Sequence, residues 1–121
     1  MSENQNSKEN RTYLIEGWLK KAKEKKRFAM FGKLNKRWFK LDVINASFSY
    51  ASGVSKNASK TIPMWDIECV ICEDADKEVK EWQYFFQVKT TTWEYGLYAQ
   101  NKAERDMWLL AFETLLKFWK E

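Results

Sequence analysis

Histidine is absent from this 121-residue chain, and with it the commonest general base and metal ligand. Only two cysteines occur, Cys69 and Cys72, so a four-ligand zinc site cannot be completed from thiolate and imidazole. Their C-x-x-C lies in the β-branched run DIECVIC instead of at a helix N-terminus, which argues for ordinary reduced thiols over redox chemistry. With four glycines there is no glycine-rich phosphate loop and no nucleophile elbow. The reading is a non-enzyme that needs no metal and no cofactor. No apolar run approaches the ~20 residues that span a bilayer, and the N-terminal MSENQNSKEN lacks the apolar segment of a secretory signal. The expected location is therefore cytoplasmic, or peripheral on the cytosolic side of a membrane.

What is present is a packed interior. Hydrophobic residues make up 45% of the chain and aromatics 17%, far from the composition of a disordered segment. Residues 1–12 are polar without periodicity and read as a flexible leader, and residues 13–120 read as one domain, expected to be monomeric. Short strands are predicted at Tyr13–Lys21, Lys36–Asp42, Ala46–Ala51, Lys60–Ile62, Ile67–Ile71, Gln83–Thr90 and Trp93–Ala99. The first two form a hairpin, and Pro63 places its segment at an edge or a kink because it cannot donate to a ladder. Glu73–Glu81 reads as an acidic loop.

From Lys102 to Trp119 the period changes to that of a helix, with Trp108, Ala111, Phe112, Leu115, Leu116 and Trp119 on one face. Asn101 and Glu104 have the spacing of a capping box, and Lys117 and Lys120 suit the C-terminal end of the helix dipole. Seven antiparallel strands and one C-terminal amphipathic helix suggest a curved sheet or barrel whose open end the helix plugs.

Charge is distributed unevenly along this pattern. Lys20–Lys40 holds ten basic residues against Glu24, a local +9 in a chain of net +4, so the remainder sums to −5. An anionic partner approaching the end where the first two strands meet is the expectation that follows. Alternation puts Gly17, Leu19 and Lys21 on one face of the first strand and Arg37, Phe39 and Leu41 on one face of the second. Each inward-facing row ends in a cation beside the connecting loop, so Lys21 and Arg37 should meet at the barrel mouth, while Lys20, Lys36 and Lys40 point outward. Tyr50, on the parity of Phe48, runs back toward the same mouth, where core packing competes with a ligand role.

Four segments in register resemble the pleckstrin homology family, from about Ile15 to Phe118. They are GWLKK (Gly17–Lys21), KRWFKL (Lys36–Leu41), KTIPM (Lys60–Met64) and YGLYAQNKAERDMWLLAFETLL (Tyr95–Leu116). The resemblance implies a mostly β fold, a seven-stranded, partly open antiparallel barrel or sandwich. Two near-orthogonal sheets would be closed at one corner by the helix, with Trp108 in the core. It also implies binding of phosphoinositide headgroups through Lys21 and Arg37. Asn35 stands where the family pattern prefers a cation, so it offers an amide donor without charge.

The expected ligand set is therefore Lys21 and Arg37, with Lys23, Lys25, Lys33, Asn35 and Tyr50 as secondary contacts. The loop KEKKRFAMFGK adds a second element, in which Phe28, Ala29, Met30 and Phe31 lie between basic clusters that include Lys26 and Arg27. Such a segment either dips into an anionic interface or packs back over the barrel rim. Phe28→Ser with Phe31→Ser separates the two arrangements: a dipping tip loses vesicle binding more than soluble-headgroup binding, whereas equal losses mean packing.

Magnitudes set what each element contributes. Five basic residues at about 1 kcal/mol each near an anionic leaflet give weak, sub-millimolar attachment. Charge-assisted hydrogen bonds at roughly 1.5–3 kcal/mol each bring binding into the micromolar range. The functional expectation is a phosphoinositide-binding module that recruits the protein to cytosolic membranes. A protein-interaction scaffold on the same fold is the alternative, and nucleic acid is not an expected partner because the acidic remainder leaves no extended basic surface.

Overall fold

The computed structural model describes residues 13–22 and 34–120. Seven strands run in chain order as β1 (Tyr13–Ala22), β2 (Leu34–Asp42), β3 (Ser47–Ala51), β4 (Lys60–Pro63), β5 (Ile67–Ile71), β6 (Tyr84–Thr90) and β7 (Glu94–Ala99). A 3-10 turn at Met64–Asp66 links β4 to β5, and the chain ends in helix α1 (Lys102–Lys120). All pairings are antiparallel, in the spatial order β4-β3-β2-β1-β7-β6-β5. The two expected sheets are thus one curled sheet, because β1 bridges them through Lys20 opposite Tyr98 and Lys21 opposite Leu97. Pro63 sits at the end of edge strand β4, where no partner needs its missing N–H.

Alternation within the strands fills the concave side. Leu19, Phe39, Leu41, Phe48, Phe86, Val88 and Leu97 are fully buried there, and α1 closes over them with Trp108, Ala111, Phe112 and Leu115. Gly17 lies beneath the helix, where a Cβ would make an ordinary van der Waals contact with the Trp108 ring at 3.9 Å. The aromatic core is interlocked, with Phe48 edge-on to Phe112 at 4.9 Å between ring centroids and stacked on Phe39 at 5.3 Å. Trp119, expected on the buried face, is half exposed in the last turn of α1. There Lys120 Nζ donates to the Glu68 carbonyl at 3.0 Å.

The start of α1 is capped by Asn101. Its side-chain oxygen accepts from the Glu104 N–H at 2.9 Å, and its amide donates back to the Glu104 carboxylate at 3.2 Å. Replacing Asn101 with Ala should cost about 1 kcal/mol, a Tm decrease of about 4 °C for a domain of this size in a circular dichroism melt.

Arg105, one turn into the helix, is almost wholly buried. Its guanidinium donates to the Ala75 carbonyl and the Asp106 carboxylate and lies 5.6 Å from the Tyr84 ring centroid, tying the 73–81 segment to the helix. Hydrogen bonds from Lys102 and then Arg105 hold the Asp106 carboxyl below its ordinary pKa, against the opposing effect of burial.

Candidate functional site

Strand register decides which cations share a face. In the β1–β2 ladder Lys21 stands opposite Asn35 and Leu19 opposite Arg37. Leu19 is fully buried on the concave side, so Lys21, Asn35 and Arg37 occupy that side as well, at its open end. β3 adds Tyr50, opposite Phe39, and β4 adds Lys60, opposite Tyr50.

The side chains confirm this clustering. Lys21 Nζ lies 5.3 Å from the Tyr50 ring centroid, and the Tyr50 ring packs 5.2 Å from that of Phe39. Burial raises the Tyr50 hydroxyl above its ordinary pKa, while the positive charge of Arg37 pulls it the other way. Arg37 donates one hydrogen bond, 2.9 Å long, to the Lys36 carbonyl, leaving most of its five N–H groups outside that bond. Among the described residues no carboxylate is ion-paired with Arg37.

The outward lysines are arranged differently. Lys20 and Lys36 face each other directly across β1 and β2, a like-charge pair that repels. The Trp82 indole lies over both ammonium groups, at 5.0 and 4.9 Å, and Lys36 also lies 5.3 Å from the Trp18 ring. Trp82 reaches them from a left-handed backbone, φ 66°, that an aromatic residue rarely adopts. These two cations belong to the convex face, together with Trp18, Trp38 and Lys40.

The family model described as PH domain matches residues 13–117. The chain belongs to that family. No curated protein matches it, whereas solved structures do. The N-terminal PH domain of human ARAP2 is 27% identical, with a TM-score of 0.63 over 85% of this chain and 78% of that one. The PH domain of human TBC1 domain family member 2 is 21% identical, with a TM-score of 0.67 over 88% and 84%. The C-terminal PH domain of pleckstrin, solved in complex with D-myo-Ins(1,2,3,5,6)P5, is 19% identical, with a TM-score of 0.63 over 86% and 95%. PH domains are typically non-catalytic modules.

In this PH domain the structure brings together Lys21, Arg37, Asn35 and Tyr50 of the expected set. Lys23, Lys25, Lys26, Arg27, Phe28, Met30, Phe31 and Lys33 lie outside the described residues. The sequence reading missed Lys60. Its signal was the parity of Ile62, which is buried two positions on and so turns Lys60 to the same side.

Cys69 and Cys72 are both free. Burial raises the Cys72 thiol above its ordinary pKa, and its Sγ lies 3.6 Å from the Phe85 carbonyl, an environment that disfavours thiolate chemistry. The described residues contain no acidic or thiolate cluster able to hold a metal ion, and no helix among them is long and apolar enough to cross a membrane.

Proposed function

We propose that the concave rim binds the phosphorylated headgroup of a phosphoinositide and thereby docks the domain on a cytosolic membrane surface, without catalysis. The observation that carries this reading is the register: Lys21, Arg37 and Lys60 project from three strands onto the open end of one face. Phosphate oxygens arriving there meet ammonium and guanidinium donors whose hydrogen bonds are charge-assisted, with the Asn35 amide and Tyr50 hydroxyl as neutral partners. The sequence adds the +9 segment at the same end of the hairpin, whose diffuse field orients the domain toward an anionic leaflet. The same fold in pleckstrin's C-terminal domain accommodates an inositol pentakisphosphate.

The test is a panel of vesicles that differ in phosphoinositide but match in total charge, measured at two salt concentrations. Headgroup binding predicts a ranking among the lipids that persists at the higher salt. Binding that follows total charge alone, and disappears with salt, would remove specific recognition. Attachment no stronger than that of a generic basic protein would leave the protein-interaction reading in its place.

A further inference from the structure

Helix α1 carries two apolar stripes, although a helix that only closes a sheet needs one. Trp108, Ala111, Phe112 and Leu115 form the first and are buried against the strands. The second lies on the solvent side and runs through Ala103, Met107, Leu110, Thr114 and Phe118, each three or four residues from the next. Met107 is 61% exposed, Leu110 66% and Phe118 73%. At 3.6 residues per turn the five share an arc of about 80°, so they form one continuous ridge. Scattered apolar residues on a surface need no explanation, but a continuous ridge marks an interaction site. Thr114 does not interrupt it, because its hydroxyl is spent inside the helix on the Leu110 carbonyl at 2.8 Å, and its methyl group remains for contact.

Charge lines one flank of this ridge in a fixed order. Asp106 and Glu113 come first, and Lys117 and Lys120 follow toward the C-terminus. The other flank has only Glu104, which the Asn101 amide already engages. Asp106 is held by Lys102 and Arg105, and Lys120 by the Glu68 carbonyl. Glu113 and Lys117 are exposed and form no ion pair among the described residues.

We propose that a second copy of this chain covers the ridge, as an antiparallel α1–α1 pair about a two-fold axis. Antiparallel helices set like flanks against each other, so a flank that is acidic first and basic later complements itself. Parallel helices would set the charged flank against the flank that holds Glu104, with no such match. An axis near Thr114 places Leu110 against Phe118 of the second copy and brings Glu113 within reach of Lys117 of the second copy, twice by symmetry. The small Thr114 side chains at the axis let the helices approach to the usual separation of about 8–10 Å. A ridge of five side chains buries less than the roughly 1,200 Å² at which stable interfaces begin, so the pair is weak, with a Kd of roughly 10⁻⁵–10⁻⁴ M. Dilute chain is then the monomer expected from the sequence. None of Lys21, Arg37 and Lys60 lies on α1, so the pairing stands apart from headgroup binding.

Sedimentation equilibrium of the full chain, from about 5 µM to about 1 mM, should show a reversible monomer–dimer equilibrium. Leu110→Gln removes an exposed apolar contact twice per dimer and should weaken pairing at least about tenfold, with an unchanged circular dichroism melt. Glu113→Lys and Lys117→Glu should each weaken it about fivefold, since like charges then meet across the axis. The double exchange, Glu113→Lys with Lys117→Glu, should restore it to within about twofold of the original chain. A chain that stays monomeric at about 1 mM would overturn the proposal, as would pairing that Leu110→Gln leaves intact. A double exchange no better than its single members would overturn the antiparallel arrangement. A monomer whose melt falls with Leu110→Gln would mean that the chain covers its own ridge, which also overturns it.

Discussion

Replacing Lys21 and Arg37 together with Ala should reduce binding to phosphoinositide vesicles by about two orders of magnitude or more. Each side chain contributes a charge-assisted hydrogen bond worth roughly 1.5–3 kcal/mol, so losing both removes about 3–6 kcal/mol. The control that gives this measurement its meaning is Lys20→Ala with Lys36→Ala, which removes the same charge from the convex face. Those ammonium groups lie against Trp82 and point away from the rim, so only the long-range field is lost, and binding should fall less than about tenfold with headgroup ranking intact. Vesicle sedimentation with both pairs of variants reads the difference directly. Equal losses in the two pairs would mean that the domain senses net charge, and the rim would lose its role as a receptor. Lys60→Ala tests the same surface from its third strand and belongs with the first pair in its effect on headgroup ranking.

Phe112→Ala should be the most damaging single truncation in the fold. Phe112 is fully buried, with its ring 4.9 Å from Phe48, 6.3 Å from Trp108 and 6.4 Å from Phe86. It therefore holds α1 to both halves of the curled sheet at once. Removing the ring forfeits its transfer energy and leaves a cavity that neighbouring aromatics cannot fill without leaving their rotamers, a loss of about 3–5 kcal/mol. Against a typical domain stability of about 5–15 kcal/mol that is a large share. Urea denaturation should show a lower midpoint with an unchanged slope, since the surface exposed on unfolding barely alters. Phe118→Ala is the counterpart on the same helix. Phe118 is 73% exposed, so its loss should change stability by no more than about 0.5 kcal/mol. A comparable destabilisation from both truncations would mean that the outer face of α1 is covered in solution.

Strand parity carried most of the reading from sequence, because a period of two leaves little freedom once one face is apolar. KRWFKLD assigns Phe39 and Leu41 to the core and Arg37 to their side, and the ladder agrees. The helix was equally legible through Trp108, Phe112 and Leu115. Where local pattern stopped, tertiary contacts decided. Arg105 looks like an ordinary helix-surface cation by composition, yet it is buried because the Ala75 carbonyl and the Tyr84 ring, both distant in sequence, converge on it. Trp119 has the right spacing for burial but lies in the last turn of the helix and stays half exposed.

The sequence alone therefore determined the elements, their inward faces and the placing of Lys21 and Arg37 on the same face of the first hairpin, since these depend on periodicity within two strands adjacent in the chain. Only the tertiary structure decided that both halves join into one sheet through β1 and β7, and that Lys60 is brought opposite Tyr50. It alone placed Trp82 over Lys20 and Lys36. The reason is physical: these arrangements arise from contacts between strands and loops far apart in the chain, whose relative positions follow from sheet twist and helix packing rather than from any repeat in the residues themselves.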